Sequence, residues 1–369
     1  MMKQLKINLL MILLATILAA CGGAVASESG NPAATKQAVG QAENVSKETP
    51  QTEGVEVTDA TDTQTADKAT AEGFPVTVDV CGEPVTFEAP PQRAVTNDVN
   101  ITEIFLDVGL KDKLIGYSGV SDTREIAPEY REMLKDIPLL SDKYIDLEAL
   151  VGAEPDFFFA GWNYGFSEEK GMTPESLARY GINSYVLTES CVRIKPREQV
   201  SLEDTFTDML NIGQIFGVEA LARAKVEQYR AELAEIKAAI GQEDKPIRVF
   251  VYDSGEESPF TAGKFAMPNA MIEAAGGVNI FNDVDTSWTT VNWEDVVNRN
   301  PEYIVIVDYG EPDAPGKINF LKSKPQLADV EATKNNKFVV LTYAEATPGP
   351  RNVARTRTLA EAFYPEKFE

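Results

Sequence analysis

The chain has 369 residues, 43% of them hydrophobic, and its 34 basic and 58 acidic side chains give a formal net charge of −24. So acidic a protein offers no cationic face to nucleic acid or to an anionic membrane surface, although a few arginines gathered in a cleft can still hold an anionic small ligand. There is no histidine, which removes the usual general base, the serine and cysteine triads built on it, and the commonest zinc ligand, so no metal site is expected.

Residues 1–20 read as a targeting segment: Lys3 and Lys6 make a positive start, and Leu9 to Leu18 form an apolar core too short for an ordinary membrane span. Leu18-Ala19-Ala20-Cys21 matches a bacterial lipobox, with Cys21 as the lipidated mature N-terminus. Several acyl chains on that cysteine would anchor the protein stably to the extracytoplasmic side of a membrane. A plain secretory signal with an incidental cysteine is the alternative. Residues 21–73 are rich in Ala, Thr, Glu, Gln, Ser and Asp, with only a few valines larger than alanine. They cannot bury enough surface to offset their ordering entropy and are expected to be a flexible tether. Roughly 295 residues remain for one large or two moderate domains.

Val76 to Phe87 alternates around Gly82-Glu83-Pro84 and predicts a hairpin. Its Cys81 and the later Cys191 are the only cysteines besides Cys21. In an exported protein they suggest a disulfide, with two free thiols as the alternative. Strands are predicted at Arg93–Asn97, Leu114–Tyr117, Pro155–Ala160 and Asn183–Leu187, with helices between them at 102–109, 147–152 and 174–181. Such alternation implies a mostly parallel sheet covered on both faces.

Residues 201–240 contain no proline, and Val226, Tyr229, Leu233, Ile236 and Ile240 fall at spacings that share one helix face. This predicts one long helix, or two in line, spanning 201–241 and joining a first lobe (74–200) to a second (242–369). The second lobe restarts with a strand at 247–252, followed by a helix at 269–276, strands at 303–307 and 338–342, and a closing helix at 353–363.

Asp146-Leu147-Glu148-Ala149-Leu150-Val151 runs on to Pro155-Asp156 and an apolar strand; Asn292-Trp293-Glu294-Asp295-Val296-Val297 runs on to Pro301-Glu302 and another, 146 positions later. In each, Asp or Asn can cap a short helix, and a glutamate sits two places after the cap. The fold class is therefore α/β, as two similar lobes with mostly parallel sheets and one long inter-lobe helix.

Taken with Arg93-Ala94-Val95, Ile101-Thr102-Glu103-Ile104, Pro259-Phe260-Thr261-Ala262-Gly263-Lys264, Gly276-Gly277-Val278-Asn279-Ile280-Phe281 and Ser287-Trp288, these segments resemble the substrate-binding proteins of ABC importers. The class is the one with a helical backbone, which binds ferric siderophores, haem and cobalamin, and the resemblance spans Val76 to the C-terminus. It implies that Glu148 and Glu294 dock onto arginines of a membrane permease. Aromatic and basic residues placed near the strand ends are the candidates to line a cleft between the lobes: Tyr117, Trp162, Tyr164 and Arg193 in the first lobe, Tyr252, Phe260, Trp288 and Arg351 in the second. Core packing or a surface position is the alternative. The resemblance implies a cleft position for Trp162, Phe260, Trp288 and the loop of Arg351.

A ferric siderophore is the expected ligand, because a guanidinium fork suits its anionic oxygens. Iron would enter only inside that chelate, and no other cofactor is expected. Cobalamin is the main rival, since aromatics alone can hold it; haem would need tyrosine ligation. The chain is expected to be a monomer. A secreted two-carboxylate hydrolase is the reading from another class, but no paired motif exists beyond Glu148 and Glu294, and no nucleophile elbow or phosphate loop is present. A sensor lipoprotein without a transporter would have no use for the two glutamates. The reading is therefore of a binding protein and not an enzyme.

Overall fold

The computed structural model describes residues 72–369; the signal segment 1–20, the lipidation candidate Cys21 and the tether up to residue 71 lie outside the described residues. The chain enters through a hairpin of β1 (Val76–Val80) and β2 (Glu83–Phe87), whose alternation sends Val76, Val78 and Val80 into the core. Cys81 occupies its turn at φ 54° and is bridged to Cys191, 110 residues on, with Cα atoms 5.3 Å apart. The bridge staples the entering hairpin to the segment that follows the last strand of the first sheet. Closing so long a loop restricts the unfolded chain by about 4–5 kcal/mol in the chain-entropy account. Replacing both cysteines by serine should therefore lower the urea midpoint substantially, and reductant should do the same to the native protein only. An unchanged midpoint would show that the bridge adds nothing.

The first lobe is built on β3 (Ala94–Asn97), β4 (Leu114–Ser118), β5 (Leu139–Ser141), β6 (Phe157–Trp162), β7 (Gly165–Phe166) and β8 (Asn183–Val186). The sheet runs β5-β4-β3-β6-β8, all parallel, with β7 beside the end of β6. Phe157, Phe158 and Phe159 are fully buried in succession, as a central strand covered by helices on both faces requires.

The second lobe holds β9 (Ile247–Tyr252), β10 (Phe260–Ala262), β11 (Gly277–Asn279), β12 (Trp288–Thr290), β13 (Tyr303–Asp308) and β14 (Phe338–Thr342). Its sheet runs β11-β9-β13-β14, again parallel, while β10 and β12 form a separate antiparallel ribbon. The short strands β5, β10, β11 and β12 and the helix Ala314–Ser323 go beyond the elements expected from sequence.

The proline-free stretch differs from expectation. Helices Leu202–Ile215 and Glu219–Ile240 are neither continuous nor in line; they fold back on each other as an antiparallel pair. Gly217, at φ 69°, stops the first helix, with the Val218 amide donating to the Gly213 carbonyl and the Gly217 amide to that of Gln214. Gly213 then lies where any Cβ would sit 2.4 Å from that of Ala222, so glycine is what lets the two helices touch. Further along, Phe206 stacks on Tyr229 and Glu203 pairs with Arg230. The link between lobes is therefore Glu219–Ile240 alone, 22 residues or about 33 Å of helix.

Candidate functional site

Both sheets share one winding. Strand order reverses beside β3 in the first lobe and beside β9 in the second, so that β6 and β13 lie on the far side of their lobe's first strand. In open parallel sheets the ligand crevice opens beyond the C-terminal ends of the strands at such a reversal.

At the first reversal, β3 ends in Asn97. Its amide donates to the Tyr164 carbonyl at 2.8 Å and its oxygen accepts from Ser118 Oγ at 2.8 Å and the Ile145 amide at 3.0 Å. This ties the ends of three segments together. Gly165 (φ 124°) is pressed against that amide, where a Cβ would come within 2.7 Å of Asn97 Nδ2, which explains the glycine beside the aromatic cluster.

Asp98 follows at φ 91° and is fully buried. Its Oδ2 accepts from the Tyr144 hydroxyl at 2.6 Å and from that of Tyr343, a second-lobe residue, at 2.7 Å. Arg124 lies 3.9 Å from the same oxygen and over both rings, 5.0 Å from the Tyr144 centroid and 4.3 Å from that of Tyr343. Burial pushes the Asp98 carboxyl up, against the pull of Arg124 and the two hydroxyls.

The two tyrosines of this cluster, without Asp98 or Arg124, line an inter-lobe pocket of about 200 Å³. Tyr144, Asn163, Tyr164 and Arg193 line it from the first lobe; Asp253, Phe260, Trp288 and Tyr343 line it from the second. Phe260 and Trp288 come from the β10–β12 ribbon and stack with centroids 6.0 Å apart. Arg193 is exposed, and Asn163, with its amide oxygen turned to the guanidinium, accepts from Nη1 at 3.0 Å and Nε at 3.2 Å. Across the pocket, Asp253 accepts from Tyr309 Oη at 2.8 Å and Ser254 Oγ at 2.9 Å, and burial holds its carboxyl above the ordinary range. A second hollow of about 370 Å³ adjoins at Tyr343 and is lined by Arg124, Arg131, Asp308 and Arg351.

Of the eight ligand residues expected from sequence, Tyr164, Arg193, Phe260 and Trp288 meet in this pocket. The other four lie elsewhere. Tyr117 lines a hollow beside the edge strand β5, with Val120, Ile126 and Ile137. Trp162 is half-buried against Phe166, its centroid 5.8 Å away. Tyr252 is 3% exposed and packs on Trp293 and Phe320 in the second-lobe core. Arg351 is taken up by Glu103, a fully buried first-lobe carboxylate that it grips with Nε at 2.8 Å and with Nη2, while Nη2 also donates to the Glu125 carbonyl at 2.7 Å. Asp98, Arg124, Tyr144, Asp253 and Tyr343 were not anticipated. The polar run Thr96-Asn97-Asp98 at the end of an apolar strand was the available signal for the first of them.

Glu148 and Glu294 sit in the first turns of helices Leu147–Gly152 and Trp293–Arg299. Asp146 caps the first by accepting from the Ala149 amide at 2.9 Å, and Asn292 the second by accepting from that of Asp295 at 2.7 Å. Both glutamates are exposed.

A family model described as periplasmic binding protein matches residues 95–344. The chain belongs to the periplasmic binding protein family. It is 25% identical over 306 residues to an uncharacterized ABC transporter substrate-binding lipoprotein of Bacillus subtilis, covering 82% of this chain and 90% of that one. It is 26% identical over 305 residues to a cobalamin-binding protein of Halobacterium salinarum, covering 82% and 77%. Among solved structures, a periplasmic binding protein from Veillonella parvula superposes with a TM-score of 0.69 at 30% identity, over 79% of this chain and 97% of that one. As a periplasmic binding protein, the chain has its two α/β lobes and the pocket between them where a captured solute belongs.

Proposed function

We propose that this protein, the extracytoplasmic solute-binding component of an ABC importer, captures a corrinoid of the cobalamin type and hands it to a membrane permease. The observation that carries the choice of solute is the balance of the pocket. Five aromatic rings, Tyr144, Tyr164, Phe260, Trp288 and Tyr343, line it together with a single guanidinium, Arg193, and a single carboxylate, Asp253. Arg351, the second cation expected to meet an anionic chelate, is spent on Glu103, and Arg124 and Arg131 line the adjoining hollow and not this pocket. A large, uncharged macrocycle edged with amides suits broad apolar walls with one donor and one acceptor. The cobalamin-binding relative from Halobacterium salinarum supports the same reading. Membrane attachment through lipidated Cys21 belongs to the proposal as well.

A ferric siderophore is the second reading, and exposed Arg193 favours it, since no carboxylate within the described residues neutralises that guanidinium by a direct ion pair. A thermal-shift titration separates the two. Cyanocobalamin at a hundred times its dissociation constant should add about 2.7 kcal/mol, with no shift from a ferric tris-catecholate or tris-hydroxamate; the reverse pattern would overturn the corrinoid assignment. Trp288→Ala should weaken the bound solute by about thirtyfold or more, the scale of a central aromatic anchor. Isothermal titration reads this directly, and an unchanged affinity would place the solute elsewhere.

A further inference from the structure

The six-residue turn of helix Thr188–Arg193 is held from three sides. Asp208 Oδ1 accepts from the Thr188 amide at 3.0 Å, Arg197 donates to the Thr188 carbonyl at 2.6 Å and pairs with Asp204 at 2.7 Å, and Cys191 is bridged to Cys81. This mount carries Glu189 into the contact between lobes, where it is 1% exposed. Its Oε1 accepts from Ser287 Oγ at 3.1 Å, 98 positions away in the second lobe. No other donor reaches the carboxyl among the described hydrogen bonds. Ser287 is placed as firmly: its carbonyl accepts from the Gly263 amide at 2.7 Å, and Gly263 lies so close to this loop that a Cβ would stand 2.5 Å from the Thr286 carbonyl oxygen.

A fully desolvated carboxyl with one hydroxyl for company is an expensive way to join two lobes if it is ionised, and an inexpensive one if it is neutral. The charged and titratable groups around it are few. Arg193 lies on its own helix, Arg197 and Asp204 behind that helix, and Asp208 at its first residue Thr188, with its own carboxyl pushed up to about 8 by burial. Tyr164 lies on the neighbouring strand connection, while the second lobe offers the uncharged Ser287. We propose that the Glu189–Ser287 contact is a proton-dependent latch, which holds the cleft closed while the carboxyl carries a proton and loosens when it gives the proton up. Desolvation dominates the balance of these neighbours and pushes the Glu189 carboxyl up to about 7 from an ordinary 4.5. The closed form therefore takes up a proton on forming. Its advantage is complete below the ordinary carboxylate value of the open form and disappears as pH rises through about 7. Ser287 adjoins Trp288 and Glu189 precedes Arg193 by one helical turn, so the latch shares both its mounts with the solute pocket.

The test is a distance between lobes, measured without solute, so that its outcome is independent of the corrinoid reading. Spin labels on Ala149→Cys and Asn298→Cys, exposed positions on the two glutamate-bearing helices, report the separation by pulsed electron resonance. Between pH 5.5 and 8.5 the ratio of closed to open molecules should fall about thirtyfold if the open form titrates as an ordinary glutamate. Glu189→Gln, which mimics the protonated group, should stay at the short distance at both pH values. Ser287→Ala, which removes the partner and keeps the carboxyl, should show the longer distance already at pH 5.5. The latch is overturned if the native protein gives one distribution at both pH values, if Glu189→Gln follows the native shift, or if Ser287→Ala leaves the acid distribution unchanged.

Discussion

Glu148→Arg and Glu294→Arg should each abolish solute uptake into cells while changing solute affinity by no more than about twofold, the usual limit for an exposed substitution. The two acids occupy equivalent places in the two lobes, two residues after a capping Asp or Asn and at the exposed start of a short helix. Neither is engaged by a lysine or arginine within 4.0 Å among the described residues, so neither is needed to balance a charge of its own. A pair of acids fixed to separate rigid lobes can seat the protein across a permease with two matching basic patches. Reversing one charge there would set like against like, at a cost of several kcal/mol. If the glutamates served only the helix dipoles, the loss would be about 0.3–1 kcal/mol of stability and transport would continue. Uptake by cells and titration of the purified protein distinguish these outcomes. Normal uptake, or a large loss of affinity, would end the docking assignment.

What the sequence made legible follows from how local each signal is. The caps Asp146 and Asn292 and the apolar strands after Pro155 and Pro301 are short-range patterns, and the structure forms them where they were expected. The direction of the helix after Gly217 was not legible, because a stripe of Val226, Tyr229, Leu233 and Ile236 fixes which face is buried and leaves open what buries it. Gly213 and Gly217 marked the break, but only the contact with Ala222 reveals a turn back.

The cleft shows the same division. Phe260 and Trp288, chosen through their flanking segments, do line the pocket, whereas Tyr252 stands one position short of it. It ends a strand buried on both faces and turns into the core, and the next residue, Asp253, faces the pocket. Tyr117 likewise lines the hollow beside β5 and not the pocket. The bond between Asp98 and Tyr343 joins residues 245 apart, and no local pattern in either segment announces it.

Arg351→Met should destabilise the protein by about 3–5 kcal/mol without a matching loss of solute affinity. Glu103 has no exposed surface, and its carboxylate is met by the Arg351 guanidinium and by the Ala127 amide at 2.8 Å. Burial already raises its carboxyl above the ordinary value, with Arg351 the chief restraint on that rise. Removing the arginine would strand a charge inside the contact between the lobes, and the group would escape by binding a proton. The sign follows: the variant's deficit should be smallest in acid, where the lone carboxyl is neutral in folded and unfolded chains alike. It should grow as pH rises above the unfolded carboxylate value.

Glu103→Gln combined with Arg351→Met removes both charges and should recover part of the loss, because a buried pair is costlier to break than to delete. Denaturant unfolding at pH 5 and pH 8 measures all three variants. If Arg351 were instead a solute contact, as its loop suggested, Arg351→Met would lower affinity strongly and leave the unfolding midpoint and its pH dependence unchanged. That result would show that the ion pair with Glu103 does not hold the lobes together.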